Sequence, residues 1–125
     1  MSYRVLVVDD SKLARMAVAK AFNAVEPGWT RVEAANAQEA LALARESAFD
    51  LALLDFNMPE RDGLHLAEDL KALAPGIVMA VISANHQKEI VDRARAIGAT
   101  FLPKPLTEQA LRDFLSVSAP SLKGH

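Results

Sequence analysis

The feature that most constrains this chain is a regular succession of short apolar runs, most of which end in a polar residue at the point where a helical pattern begins. Residues 5–8, 49–55 and 77–82 are aliphatic or aromatic stretches with little alternation between apolar and polar positions, as in strands covered on both faces. Residues 30–35 form a weaker run with polar residues inside it, which suggests a sheet edge, and residues 100–102 a short fifth run. Between them, apolar residues recur at three- and four-residue spacing. Leu13, Ala14, Ala17, Val18, Ala21, Phe22 and Val25 predict the inward stripe of a first helix; Leu66, Ala67, Leu70 and Leu73 that of a third. Ile90, Val91, Ala94 and Ile97 mark a fourth helix over 87–97, and Ala110, Leu111, Phe114 and Leu115 a last one over 106–116. Asp10 or Ser11 can cap the first helix, Asp62 or Gly63 opens the third, and Asn36 caps the second, with Glu39 as the reciprocal acid. Pro27-Gly28, Pro75-Gly76 and Gly98 stop helices. Strand and helix thus alternate five times, which predicts an α/β domain: a parallel five-stranded sheet with right-handed crossovers and helices on both faces.

A parallel sheet puts the C-terminal ends of all its strands on one edge, where open α/β sheets bind ligands. Asp9 and Asp10 follow the first run, Asp55 closes the third, Ser83 follows the fourth and Lys104 the fifth, so all of them belong to one rim. Asn57, Met58 and Pro59 stop the third strand at once. Pro103 and Pro105 cannot donate to a ladder and hold Lys104 in a rigid turn. If the strand order is 2-1-3-4-5, one of two common doubly wound orders, the three aspartates share the crevice between strands 1 and 3. Two carboxylates about 4 Å apart repel by roughly 4 kcal/mol at an effective dielectric near 20. One lysine cannot balance three acids. Oxygen ligands without sulfur or clustered imidazole select a hard cation, Mg²⁺ or Mn²⁺. An aspartate beside such an ion and a lysine is equipped to attack phosphorus, with the Ser83 hydroxyl able to bond a phosphoryl oxygen.

Composition narrows the alternatives. The 125 residues suit one domain, with 51% hydrophobic residues to build its core. A formal net charge of −2 gives no general attraction for nucleic acid or an anionic membrane. No cysteine is present, which excludes disulfides, thiolate nucleophiles and Cys-based zinc sites. The first strand follows the N-terminus too closely for a signal peptide or membrane span, so a cytoplasmic protein is expected. Residues 118–125 read as a polar tail.

The acidic pair after strand 1, Asp-x-Asn-Met-Pro after strand 3, Ser-Ala after strand 4 and Phe-Leu-Pro-Lys-Pro over strand 5 resemble the receiver domain of two-component response regulators. The resemblance covers residues 3–117 and implies the CheY-like, flavodoxin-like fold with strand order 2-1-3-4-5. It implies Asp55 as phosphoacceptor. Asp10, Asp55 and the Asn57 carbonyl would ligate Mg²⁺, Asp9 would hold the metal's waters, and Lys104 would pair with the phosphoryl group. Ser83 and Phe101 would form the switch, reshaping the surface of helix 4, strand 5 and helix 5, through which receivers can also form homodimers. Phe101 stands where many relatives carry Tyr or His and offers no hydroxyl to a partner. Asn57 and Asn85 occupy positions that tune hydrolysis of the acyl phosphate, and the Lys104-Pro105 bond is expected to be cis. The implied donors are a sensor histidine kinase or a histidine phosphotransfer protein. The output would be an unknown partner, or a fused output domain if the receiver belongs to a longer regulator.

Other functions fit less well. A Mg²⁺-dependent phosphatase using an aspartyl phosphate would need an acid where Asn57 stands, so a classical enzyme is not expected. A flavodoxin-like cofactor binder would need a hydroxyl- or Gly-rich loop after strand 1, where this chain has two acids. A receiver-like module that binds partners without phosphorylation is the remaining alternative.

Overall fold

The computed structural model describes residues 3–58, 62–84 and 87–123. In chain order they form β1 (Arg4–Val8), α1 (Lys12–Val25), β2 (Thr30–Ala34), α2 (Ala37–Glu46), β3 (Leu51–Asp55), α3 (Gly63–Leu73), β4 (Val78–Ser83), α4 (Lys88–Ala96), β5 (Thr100–Pro103) and α5 (Glu108–Lys123). The strands make one parallel sheet in the order β2-β1-β3-β4-β5, as the family resemblance implied.

The unalternating strands are explained by a core on each face. Val5, Val7, Leu51, Leu53, Ala80 and Ile82 point to one side, where Val18 and Phe22 of α1 and Leu111, Phe114 and Leu115 of α5 cover them. Leu6, Val8, Ala52, Leu54, Met79 and Val81 point to the other, under α2, α3 and α4. Burying each such leucine fully contributes about 1.5–3 kcal/mol. β2 lies at the edge and buries only Ala34.

Local chemistry fixes the helix starts. Ser11, rather than Asp10, caps α1, its Oγ accepting from Ala14 N at 3.2 Å. Asn36 and Asp62 cap α2 and α3, accepting from the N–H groups of Glu39 and His65. Gly98 takes the left-handed conformation, φ +81°, after α4. The Lys104-Pro105 bond is cis.

Three expected core positions are corrected. Leu13 is 78% exposed and Leu73 46%. Leu13 sits in the first turn of α1, ahead of Val18, where that helix first buries a side chain in the core; Leu73 ends α3 at an open groove facing α2. Ala17 is likewise exposed. α5 also outruns its expected end, with Ser118 buried and helical backbone to Lys123 in place of the start of a polar tail. At the opposite end of the sheet from the rim, Trp29 packs edge-on to Tyr3, ring centroids 5.0 Å apart, and tilted against Phe22. Among the described residues no helix is long and apolar enough to cross a membrane.

Candidate functional site

The rim forms because β1, β3, β4 and β5 all end there, and each end is pinned by backbone bonds. Asp9 N–H donates to the Ala34 carbonyl and continues the ladder to β2. Phe56 N–H donates to the Ile82 carbonyl, just past Asp55. Lys104 N–H, between two prolines that lack one, donates to the Ser83 carbonyl at 3.0 Å. The lysine is therefore registered against β4.

From this frame the side chains converge. Lys104 Nζ lies 2.9 Å from Asp55 Oδ1 and 3.3 Å from Asp9 Oδ2. Asp9 turns its other oxygen to Ser11 N–H at 2.9 Å, and Asn57 N–H approaches Asp55 Oδ1 at 3.3 Å. Asp9, Asp10 and Asp55 each offer a carboxylate oxygen within 4.8 Å of the others. Asp9 and Asp55 are buried while Asp10 is exposed, so the cluster opens to solvent on the Asp10 side. Ser83 is fully buried at the end of β4, and Phe101 is half-buried in β5 opposite Val81. Asn57 is exposed, and Asn85 lies outside the described residues.

One cation shared between two acids explains the electrostatics. Burial lifts the Asp55 carboxyl above its ordinary 3.8; the hydrogen bond from Lys104 opposes that lift, and the Asp9 charge adds to it. For Lys104 burial works against the charged form, but the bond to Asp55 and the charges of Asp55 and Asp9 outweigh it and raise the ammonium above 10.5. An all-oxygen cluster with an exposed corner fits a hard divalent ion that keeps some of its waters.

Three further features border the site. Gly63 N–H donates to the Phe56 carbonyl, and a Cβ at Gly63 would collide with the Asp55 carbonyl oxygen, so only glycine lets α3 start this close to the acid. Arg15 Nη1 donates to the Asp9 carbonyl while its Nε holds Glu33 Oε1 at 2.9 Å. A hollow of about 290 Å³ lies beside Asp9 and Lys104, walled by Ala14, Ala17, Val18 and Leu106. Leu13 and Met16 stand exposed on the same helix. Sequence patterning passes over Arg15, because an arginine off the apolar stripe reads as solvated, and marks Gly63 only as a helix start. The signal for both is nearness to the cap of a helix that follows a strand of the rim, four residues after Ser11 and one after Asp62.

A parallel α/β fold of this strand order, with three aspartates and a lysine gathered at its strand ends, is that of a receiver domain, and the chain belongs to that family: the response regulator receiver domain model matches residues 5–116. Receiver domains are signalling proteins of two-component systems, not classical enzymes. They bind Mg²⁺ through such an acidic cluster and partner with histidine kinases or phosphotransfer proteins. In particular, the chain is similar to the transcriptional regulatory protein PdtaR of Mycobacterium tuberculosis, 39% identical over 108 residues that cover 83% of this chain and 50% of PdtaR. It is also similar to sporulation initiation phosphotransferase F of Bacillus subtilis, 27% identical over 96% of both chains. The chain thus spans half the length of the first relative and nearly all of the second. Among solved structures, the chemotaxis protein CheY4 of Vibrio cholerae superimposes with a TM-score of 0.83 at 28% identity, covering 94% of this chain and 98% of that one. A CheY of Borrelia burgdorferi, solved in complex with CheX, BeF₃ and Mg²⁺, gives 0.83 at 27% identity over 92% of this chain and 88% of that one.

Proposed function

We propose that Asp55 accepts a phosphoryl group from a histidine kinase or a histidine phosphotransfer protein, and that the resulting acyl phosphate switches the surface formed by α4, β5 and α5. The observation that carries this reading is the Lys104 ammonium held between Asp55 and Asp9 inside a cluster of three carboxylates. An Asp55 carboxylate oxygen attacks phosphorus, the P–N bond to the donor histidine breaks, and the imidazole leaves with that electron pair. Lys104 then exchanges its bond with the Asp55 carboxylate for one with a phosphoryl oxygen. Asp10, Asp55 and the Asn57 carbonyl would hold Mg²⁺, with Asp9 on its waters, and the ion would supply charge neutralisation at the phosphoryl oxygens; Mn²⁺ suits the same oxygen set.

The output follows from what the phosphate can reach. Ser83 is buried one strand from Asp55 and bonded through its backbone to Lys104, so a hydroxyl drawn toward the phosphate shifts the β4 end and, across the ladder, Phe101. Phe101 fills space without a hydroxyl, so this readout works by packing rather than by a polar contact. Asn57 and Asn85 set how readily water reaches the acyl phosphate. A macromolecular donor is supported by the hollow beside Lys104 and by Leu13 and Met16, apolar surface left open within reach of the acid cluster. The protein works in the cytoplasm, alone or as part of a longer regulator, through an output partner or fused domain or as a homodimer built on the switched surface.

Incubation with acetyl phosphate and Mg²⁺ followed by intact-mass measurement tests this directly. One added phosphoryl group, absent in Asp55→Asn and in the presence of a chelator, is the expected result. A folded, Mg²⁺-binding protein that never gains mass would instead be a phosphorylation-independent binding module.

A further inference from the structure

Asp9 is held at every polar atom that can be held. Its N–H goes to Ala34 of β2, Oδ1 takes Ser11 N–H, Oδ2 meets Lys104, and its carbonyl takes a guanidinium N–H from Arg15. The last contact differs in kind. The Asp9 carbonyl belongs to the peptide plane joining Asp9 to Asp10, and the tilt of that plane decides where the exposed Asp10 side chain points. Arg15 is well placed to fix it: its own N–H is bonded to Ser11 in the first turn of α1, its side chain is only 16% exposed, and Glu33 of β2 holds its Nε. One planar fork therefore spans β2, α1 and the acidic loop, a geometry a guanidinium provides and an ammonium does not.

We propose that Arg15 is a positioning residue for the divalent-cation site, orienting the Asp9-Asp10 peptide so that the Asp10 carboxylate faces Asp9 and Asp55, with Glu33 on the edge strand as its anchor. The inference rests on the cation reading above. It is separable from simple charge, because the two effects have opposite signs. As a nearby positive charge alone, Arg15 would repel a divalent ion, and its removal would tighten binding. As a positioning residue, its removal loosens the Asp10 ligand and weakens binding.

The test is calorimetric titration of Mg²⁺ into the intact protein and its Arg15→Met and Arg15→Lys variants, with amide chemical shifts of Asp10 and Ser11 recorded without metal. Wild-type binding checks the cation reading; the variant-to-wild-type ratio and the metal-free shifts check Arg15. Arg15→Met is expected to weaken Mg²⁺ binding about tenfold, the low end for groups that support metal ligands from behind. Its phosphorylation rate by acetyl phosphate should recover at saturating Mg²⁺, and the Asp10 amide should shift even without metal. Arg15→Lys keeps the charge and should lie between the two. Unchanged or tighter binding in Arg15→Met, or a rate deficit that persists at saturating Mg²⁺, would overturn the proposal. If Arg15→Met does not fold, Arg15→Lys decides the matter: weaker binding supports positioning, and unchanged binding refutes it.

Discussion

The interior of the sheet and its C-terminal rim are made by the same strands and obey opposite rules. β3 shows the contrast within five residues. Leu51 to Leu54 point alternately into two apolar cores, where every neighbour favours the native arrangement. Asp55, one residue further, is just as buried, yet shares one lysine with Asp9 and stands near a third carboxylate. The core below is satisfied, whereas the rim is short of positive charge. A domain of this size can keep such a deficit because the packed layers beneath it supply the stability, and the deficit is what suits the rim to a cation.

The sharpest way to break this contrast is at the point where packing reaches into the rim. Gly63→Ala puts a methyl group against the Asp55 carbonyl oxygen and should behave like a core change, destabilising the domain by about 1–3 kcal/mol. It should also slow acetyl phosphate labelling of Asp55, since either α3 or the acid must move. Chemical unfolding alongside the labelling rate checks both, and a neutral result in both would mean the close approach is not a constraint.

Asp10→Asn should go the other way. Removing one of three mutually repelling carboxylates ought to raise the metal-free melting temperature by a few degrees while abolishing the gain that Mg²⁺ gives the wild type. A lower metal-free melting temperature would show that the rim is not charge-strained.

The smallest effect is in the pH profile. Because the folded Asp55 carboxyl titrates above 3.8, it contributes stability below that value, and the contribution is lost as pH rises through the raised folded pKa. Lys104 is raised as well, so its contribution is complete below 10.5 and is lost only as pH climbs through its higher folded pKa. In chelator, urea unfolding should therefore show Asp55→Asn gaining on the wild type as pH increases from 3.8 toward neutrality. A difference that stays flat or shrinks across that range would contradict the raised carboxyl.

The same contrast explains which features are legible in the sequence alone. Asp9, Asp10, Asp55 and Lys104 were legible because a parallel sheet sends its strand ends to one edge regardless of strand order; the order itself came from the family resemblance. The core strands were legible because burial on both faces removes alternation. Leu13 and Leu73 were misplaced since helical periodicity says which face turns inward but not where the sheet beneath it ends. Arg15 and Gly63 escaped because their roles are contacts to backbone carbonyls, which leave no mark in a hydrophobic pattern. The extent of α5 was hidden by a polar composition that gives little sign of the buried Ser118.

Trp29 gives the molecule an internal separation of signals. It is the sole tryptophan, packed against Tyr3 and Phe22 just before β2 begins, while Asp9 lies level with the far end of that strand, roughly 15 Å away along the sheet. Its emission should follow global unfolding and stay nearly blind to magnesium or phosphate. A single cuvette can then report whether the domain is intact, leaving chemistry at the rim to be followed by mass or by a second label.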